Sequence, residues 1–331
     1  MANFFSSVGY ALGKLHSGMI VYLCELWNEG QREPLASFLG HFGISFKEEK
    51  IFPAREWNGI DLVIFSDQTG NLPLAVFEIK VDDYEHEVKK IISGKKEEGL
   101  QTIVYPKLLP NCPNFFFVTL GAGEYHHAPH CDIFRWIRIR DLFQAIESIQ
   151  GKDHFITDWK LSIGDEISLQ DLAFKNDDTK MSKYRTGTWN IYVLGNLKET
   201  LIKDFFKDDL KIDPKIYMYG TRPDTILNFW WREGDIYPEI NYNGKLNLKV
   251  NLEGFKTESE KEELINNTKE KFSKKLSEFN PTISNRIGYG NSKTIMSFNI
   301  GLIQKEGNLY YGEKLDAICK RLSEILRSIA V

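Results

Sequence analysis

The sequence predicts an α/β domain, a mixed sheet flanked by helices, followed by an α+β domain. Three features predict it. The chain opens with helical periodicity. Short runs of β-branched and aromatic residues, bounded by turn residues, come next. A polar piece, residues 175–183, then separates this part from a C-terminal part with a different pattern.

Residues 8 to 43 read as helical, because Leu12, Leu15, Met19, Tyr22, Leu23 and Leu26 recur at three- and four-residue steps. Gly30 interrupts, and Glu33-Pro34 starts a second helix running from Leu35 to Phe42. Residues 44 to 57 form a first strand, placed at a sheet edge by Pro53. Two apolar strands between residues 59 and 81 flank the turn-rich segment 66–73. Asp82 to Leu109 is expected to be a highly charged helical region with breaks near Gly94 and Gly99. Lys89, Lys90, Lys95 and Lys96 lie in it, able to meet phosphates or simply to form a solvated face. Asn114 to Leu120 is a continuous apolar run, hence a buried central strand reached by a parallel crossover. Phe134 to Arg140 is another strand with Arg138 and Arg140 on one face, and Asp141 caps a helix from Leu142 to Ile149.

The organisation expected is therefore a domain over 1–150, an irregular connection over 151–188 and an α+β domain over 189–331. The last contains a helix near Leu197 to Phe206 and strands at Lys215–Tyr219, Ile226–Arg232 and Leu246–Leu252. A helix from Glu258 to Phe279, begun by the capping pair Thr257 and Glu260, carries its apolar face on Leu264, Thr268, Phe272, Leu276 and Phe279. A strand from Thr294 to Ile303 and a helix from Glu313 to Ile329 close the chain. Gly288 to Thr294 looks faintly like a phosphate loop but precedes a strand, so it reads as a turn. Phe229-Trp230-Trp231-Arg232 could stack on bases, although core burial is the commoner fate of such aromatics.

Hydrophobic content of 42% and charged content of 27% are those of an ordinary globular protein. No apolar run reaches the roughly 18 residues of a membrane span, and the first residues lack the basic region of a secretory signal. Four scattered cysteines suit a reducing cytoplasm, the expected location. A net charge of −4 excludes a global positive field, so any nucleic-acid role must rest on local patches.

Chemistry concentrates on the two strands after Gly59. Asp61, Glu78 and Lys80 are charges inside an apolar frame, where a charge is costly unless paired or bound to a metal. Alternation puts Leu74, Val76, Glu78 and Lys80 on one face of their strand, with Glu78 and Lys80 about 7 Å apart at Cα. If the strands pair, Asp61 comes within reach of both. Two carboxylates and an ammonium suit a hard divalent cation. The bland alternative is a surface strand with an ordinary Glu/Lys face; Glu48-Glu49-Lys50 has the same spacing in a polar setting.

An Asp on one strand and Glu-x-Lys on the next resembles the PD-(D/E)XK nuclease superfamily, with Ile60 where the family name has Pro. The resemblance implies an αβββαβ core over residues 8–150 and hydrolysis of phosphodiester bonds in DNA, with double-stranded DNA as partner. It implies Asp61, Glu78 and the Ile79 carbonyl as ligands of Mg²⁺, with Mn²⁺ as substitute, and Lys80 positioning the attacking water. Gln101 and Tyr105 resemble the family's Gln-x-x-x-Tyr, although the gap from Lys80 to Gln101 is longer than the family's. His16-Ser17 and Phe38-Leu39 resemble a bacterial and phage branch, which implies restriction-like or antiphage work. That branch carries an acid just before His-Ser; here Gly13-Lys14-Leu15 stands there, leaving Glu25 or Glu49 as substitutes for the fourth acid, each of which reads more simply as a solvated surface residue. His16 reads more simply as a packed helix residue. The C-terminal domain would serve recognition, dimerisation or control, with a homodimer as one form. The rival reading is a catalytically inactive nuclease-fold module that binds nucleic acid or regulates. His126-His127-Ala128-Pro129-His130-Cys131 invites a zinc reading, but its spacing matches no standard site, and a polar loop beside the active site fits better.

Overall fold

The computed structural model describes residues 13–81, 83, 85–125, 128–178, 186–206, 212–218, 225–231, 236–241, 243–255, 257–284 and 291–330. The chain divides into two units, residues 1–168 and 169–331, and the first is a mixed α/β structure.

Its helices α1 (Gly13–Asn28) and α2 (Glu33–Gly40) precede a meander of β1 (Phe52–Trp57), β2 (Ile60–Phe65) and β3 (Pro73–Val81). Trp57 pairs with Ile60 across Asn58 and Gly59, both with positive φ (50° and 78°). Such a two-residue turn matches the right-handed twist of the strands it joins. The next turn is organised by Asp67, whose carboxylate accepts the backbone N–H groups of Asn71 and Leu72.

Between Val81 and the next sheet strand the chain departs from expectation. Residues 82–109 are not one charged helical region. β4 (Glu87–Ile92) and β5 (Lys95–Leu100) form an antiparallel two-stranded ribbon, and only then does α3 (Gln101–Leu108) begin. The reason is local: Ser93 and Gly94 both take positive φ (50° and 78°), and exposure alternates along β4 with a period of two. The lysine-rich composition masked that alternation.

β6 (Phe115–Leu120) then pairs parallel to β3, and β7 (Phe134–Ile137) parallel to β6, giving the order β1-β2-β3-β6-β7 with β1 at an edge as Pro53 required. β7 ends at Ile137 and α4 spans Ile139–Glu147. Arg138 and Arg140 therefore do not share a strand face. Asp141 does act at that helix start, its carboxylate accepting the Arg138 backbone N–H at 3.1 Å.

The segment 151–188, expected to be irregular, contains a 22-residue helix, α5 (His154–Lys175). Ile156, Trp159 and Ile163 lie buried at steps of three and four, a stripe diluted in the sequence by the polar residues around it.

One face of the sheet, with Leu62, Phe77 and Phe116, is packed by Leu23 of α1, Phe38 of α2, Leu142 of α4 and Trp159 of α5. Phe77 and Phe116 stack at 4.6 Å. The opposite face, with Val63, Val76 and Phe117, is packed by Tyr105 of α3. Each fully buried apolar side chain of this size contributes about 1.5–3 kcal/mol.

The second unit begins within α5, at residue 169, and continues with α6 (Thr186–Thr200). Its antiparallel sheet has the order β12-β13-β11-β10-β9-β8, built from β8 (Ile212–Met218), β9 (Thr225–Trp231), β10 (Ile236–Ile240), β11 (Lys245–Asn251), β12 (Thr282–Ile283) and β13 (Ser292–Asn299). The α+β expectation fits this unit, with β10, β12 and β15 (Asn308–Tyr311) added to it and the strand expected over Thr294–Ile303 divided between β13 and β14 (Leu302–Lys305), which pairs with β15. α7 (Glu258–Lys275) has its capping box: the Thr257 side chain accepts from Glu260 N, and the Glu260 carboxylate accepts from Thr257 N. α8 (Leu315–Ala330) closes the unit. The side chains of the 229–232 aromatic cluster and residues 285–290 of the loop-like segment lie outside the described residues.

Candidate active site

Asp61 enters at the start of β2, one step beyond the last β2–β3 register pair, Leu62 with Phe77. That register sets it opposite Glu78. Its Oδ2 accepts the backbone N–H of Ile79 at 2.7 Å. Glu78 and Lys80 follow on β3 and face α3, while Phe77 and Ile79 turn into the other core. Glu78 is only 1% exposed and Lys80 6%, and Lys80 Nζ lies 2.8 Å from Glu78 Oε1.

The first turn of α3 completes the constellation. Gln101 Nε2 donates to Glu78 Oε1 at 2.7 Å and to the Tyr105 hydroxyl oxygen at 3.0 Å. Tyr105 in turn donates to the Gly59 carbonyl at 2.7 Å, in the turn that delivers Asp61. Gln101 Oε1 accepts the His86 backbone N–H at 3.0 Å, which fixes which end of the amide faces the glutamate. The spacing of Gln101 and Tyr105 by one helical turn puts both on the face that meets β3.

The side-chain partners of Glu78, Lys80 and Gln101, both fall on Oε1; Oε2 is buried with no partner at hydrogen-bond geometry, and the Asp61 backbone N–H acts on the carboxylate from nearby. Buried carboxylate oxygens are seldom left so. Burial first, and then the neighbouring Asp61 charge, push the Glu78 carboxyl up to about 7, against the pull of Lys80. Burial also raises Asp61, opposed by the Ile79 N–H and by Lys80.

Glu25 is not part of this group. It is exposed on α1, and its charge is felt by Cys24 and Tyr22. Glu49 is likewise exposed, ahead of β1. The acid whose charge reaches Asp61 is Glu56, bridged at 3.4 Å to Lys14, which also acts on Asp61. The Asn58–Gly59 turn, which makes Glu56 the cross-strand neighbour of Asp61, was the available signal for it. Gly13, at the start of α1, stands against the Ile79 carbonyl: a Cβ there would lie 3.4 Å from that oxygen. His16 packs in the helix core with Trp159, whose indole N–H donates to Nδ1 at 3.1 Å.

Two further carboxylates border the site and carried no signal in the sequence. Glu85 accepts the Thr102 N–H at 2.5 Å and contacts His130 Nδ1 at 2.8 Å. Glu124 is buried between Thr119, Arg138 and the Ile139 N–H, and burial raises its carboxyl against the pull of Arg138. Thr119 is the β6 partner of Lys80. His126 and His127 lie outside the described residues.

Among the described residues no group of three or more His, Cys, Asp or Glu side chains could hold a metal ion. The donor set that the resemblance implies here is the carboxylates of Asp61 and Glu78 with the Ile79 carbonyl. It suits a cation that keeps several waters, as Mg²⁺ does, and the buried Glu78 Oε2 supplies the open acceptor such an ion needs. Compared with family models, with curated proteins and with solved structures, the chain gives no match. No helix among the described residues is long and apolar enough to cross a membrane.

Proposed function

We propose that the chain is a metal-dependent DNA endonuclease of the PD-(D/E)XK type, hydrolysing phosphodiester bonds, with α1, the meander, α3 and β6 as its αβββαβ core. The observation that carries this reading is the Glu78 carboxylate: pinned by Lys80 and Gln101 on one oxygen, open on the other, and opposite Asp61. Asp61, Glu78 and the Ile79 carbonyl would hold Mg²⁺, or Mn²⁺ in its place. When bound, such an ion polarises a phosphoryl oxygen and acidifies a coordinated water.

The remaining work falls to side chains. Lys80, held beside Glu78, donates to the attacking water or to a phosphate oxygen, where a fixed ammonium in a dry site counts most. Gln101 and Tyr105 lock the Glu78 carboxylate against rotation, so their role is positioning. The restriction-like or antiphage setting and a dimer rest on the resemblance alone, and a cytoplasmic location on the scattered cysteines.

The rival, a catalytically silent nuclease-fold module, draws on the same ion pair, since Lys80 already neutralises Glu78. Plasmid cleavage in Mg²⁺ or Mn²⁺ separates the two. The expected result is nicking or linearisation by wild type, reduced by about 10²–10³-fold or more in Asp61→Ala and in Lys80→Ala. A wild type inert on supercoiled, linear and single-stranded DNA and on RNA favours the silent module. Cleavage that persists in both variants puts the site elsewhere.

A further inference from the structure

The ribbon β4–β5 occupies the interval between Lys80 and Gln101, and nothing in the chemistry above uses it. Its two strands, six residues each, pair with one another and with no strand of the main sheet. α3 packs against both of them. Its base is bolted to the site: Gln101 N donates to His86 O at 3.0 Å, and His86 N donates to the Gln101 side chain that touches Glu78. Midway along, Lys90 Nζ donates to the Asn58 carbonyl at 2.5 Å, in the turn that leads to Asp61. The ribbon is thus indexed to both carboxylate-bearing strands.

The distribution of charge on it is uneven. From Val88 to Lys96 the chain carries Lys89, Lys90, Lys95 and Lys96 and no carboxylate. Glu87 sits at the base and Glu98 and Glu97 stand opposite Lys89 and Lys90 midway along, so the end of the ribbon from Ile91 to Lys96 has Lys95 and Lys96 as its only charges. Ile91 is 78% exposed, and its cross-strand partner is Lys96. Lys89 and Lys96 are 63% and 66% exposed and reach Glu98 at 2.8 and 3.3 Å. Exposed pairs of this kind contribute little to stability, so a phosphate can replace the glutamate readily. A protein of net charge −4 therefore carries a cationic tip with one apolar side chain, beside its buried carboxylates.

We propose that this ribbon is a duplex-DNA-binding arm, its tip entering a groove while Lys89, Lys95 and Lys96 contact the flanking phosphates. Dimensions agree: six residues span about 20 Å, and the major groove, about 12 Å wide, admits a two-stranded ribbon. Ile91 at the tip provides the apolar contact with base edges. The proposal rests on the nuclease reading for its choice of partner, but its test is made without cleavage.

The full chain is titrated with a fluorescein-labelled DNA duplex of about 25 base pairs in Ca²⁺, with the duplex checked intact afterwards. Binding is read by anisotropy from about 50 to 200 mM salt. The variants are Lys89→Gln/Lys95→Gln/Lys96→Gln, Ile91→Ser, and a control on α7, Lys269→Gln/Lys274→Gln/Lys275→Gln, each confirmed folded by circular dichroism. The ribbon triple is expected to bind at least tenfold more weakly, with the slope of log K against log salt reduced by about 2–3, one unit per lost phosphate contact. Ile91→Ser weakens binding with an unchanged slope, and the α7 variant matches wild type. A ribbon variant with wild-type affinity and slope overturns the proposal, as does tighter wild-type binding to RNA or single strands than to duplex. A wild type that binds through the ribbon yet never cuts would fail the nuclease reading and leave the arm standing.

Discussion

Each unit of the molecule pairs a buried glutamate with a lysine, and the two pairs are built to opposite ends. In the second unit both oxygens of Glu239 lie 3.2 Å from Lys249 Nζ. Lys249 is 20% exposed and also lies over the Tyr237 ring. That pair is closed: no acceptor is left over. In the first unit Glu78 crowds Lys80 and Gln101 onto a single oxygen and leaves the other bare, with Asp61 opposite. The residue types are identical. What differs is whether the polypeptide itself satisfies both carboxylate oxygens.

The sharpest way to break the contrast is to delete each lysine. Lys80→Met leaves Glu78 buried without its counter-charge and should cost about 3–5 kcal/mol at pH 8. Lys249→Met, at a site with more solvent, should cost about 1 kcal/mol. The sign with pH follows from Glu78, whose folded-state carboxyl is raised to about 7 by burial and by Asp61. A raised carboxyl disfavours folding only when ionised, so the penalty is absent below the unfolded range near 4.5 and complete above about 7. Urea midpoints should therefore show the Lys80→Met loss fading from pH 8 to pH 5. Equal losses at both pH values would end the argument.

A divalent cation should sharpen the same comparison from the other side. Mn²⁺ at a hundredfold excess over its Kd contributes about 2.7 kcal/mol, a rise of roughly 5–10 °C in the melting of the first unit. Asp61→Asn should abolish the rise and Glu239→Gln should not touch it. Lowering the pH from 7 to 6 should weaken the cation up to about tenfold, because Glu78 must then lose a proton to bind. A shift that is the same in Asp61→Asn would assign the cation to another site. The smallest effect expected is that of Tyr105→Phe. It removes the O–H donated to the Gly59 carbonyl and should cost about 1 kcal/mol in thermal stability, with cleavage within a few-fold of wild type. A loss of activity as large as that of Asp61→Ala would make Tyr105 more than a positioning residue.

The meander and its charges were legible because they are local: Asp61, Glu78 and Lys80 stand in apolar runs where any charge is conspicuous. The one-turn spacing of Gln101 and Tyr105 was legible for the same reason. Glu56 and Glu85 were not, because each reaches the site through a turn geometry or a long-range approach that no periodicity encodes. Helical position alone points to Glu25, and the helix turns it to solvent, as the simpler reading of a surface glutamate has it. The ribbon was missed because four lysines among eight residues read as helix, whereas the positive φ of Ser93 and Gly94 decided otherwise. Asn58–Gly59, the strongest hairpin signature in the chain, would have fixed the register that sets Glu56 beside Asp61.

Both strands of the ribbon are edges, so each has a row of backbone N–H and C=O groups with no strand beside it. Such rows invite pairing with another copy of the same chain, most readily around an apolar pair such as Ile91-Ile92. The lysines on either side make two ribbons repel. The same cations that suit the tip to phosphate thus keep the protein from polymerising through it, and any sequence that traded them for apolar residues would lose solubility as well as its arm.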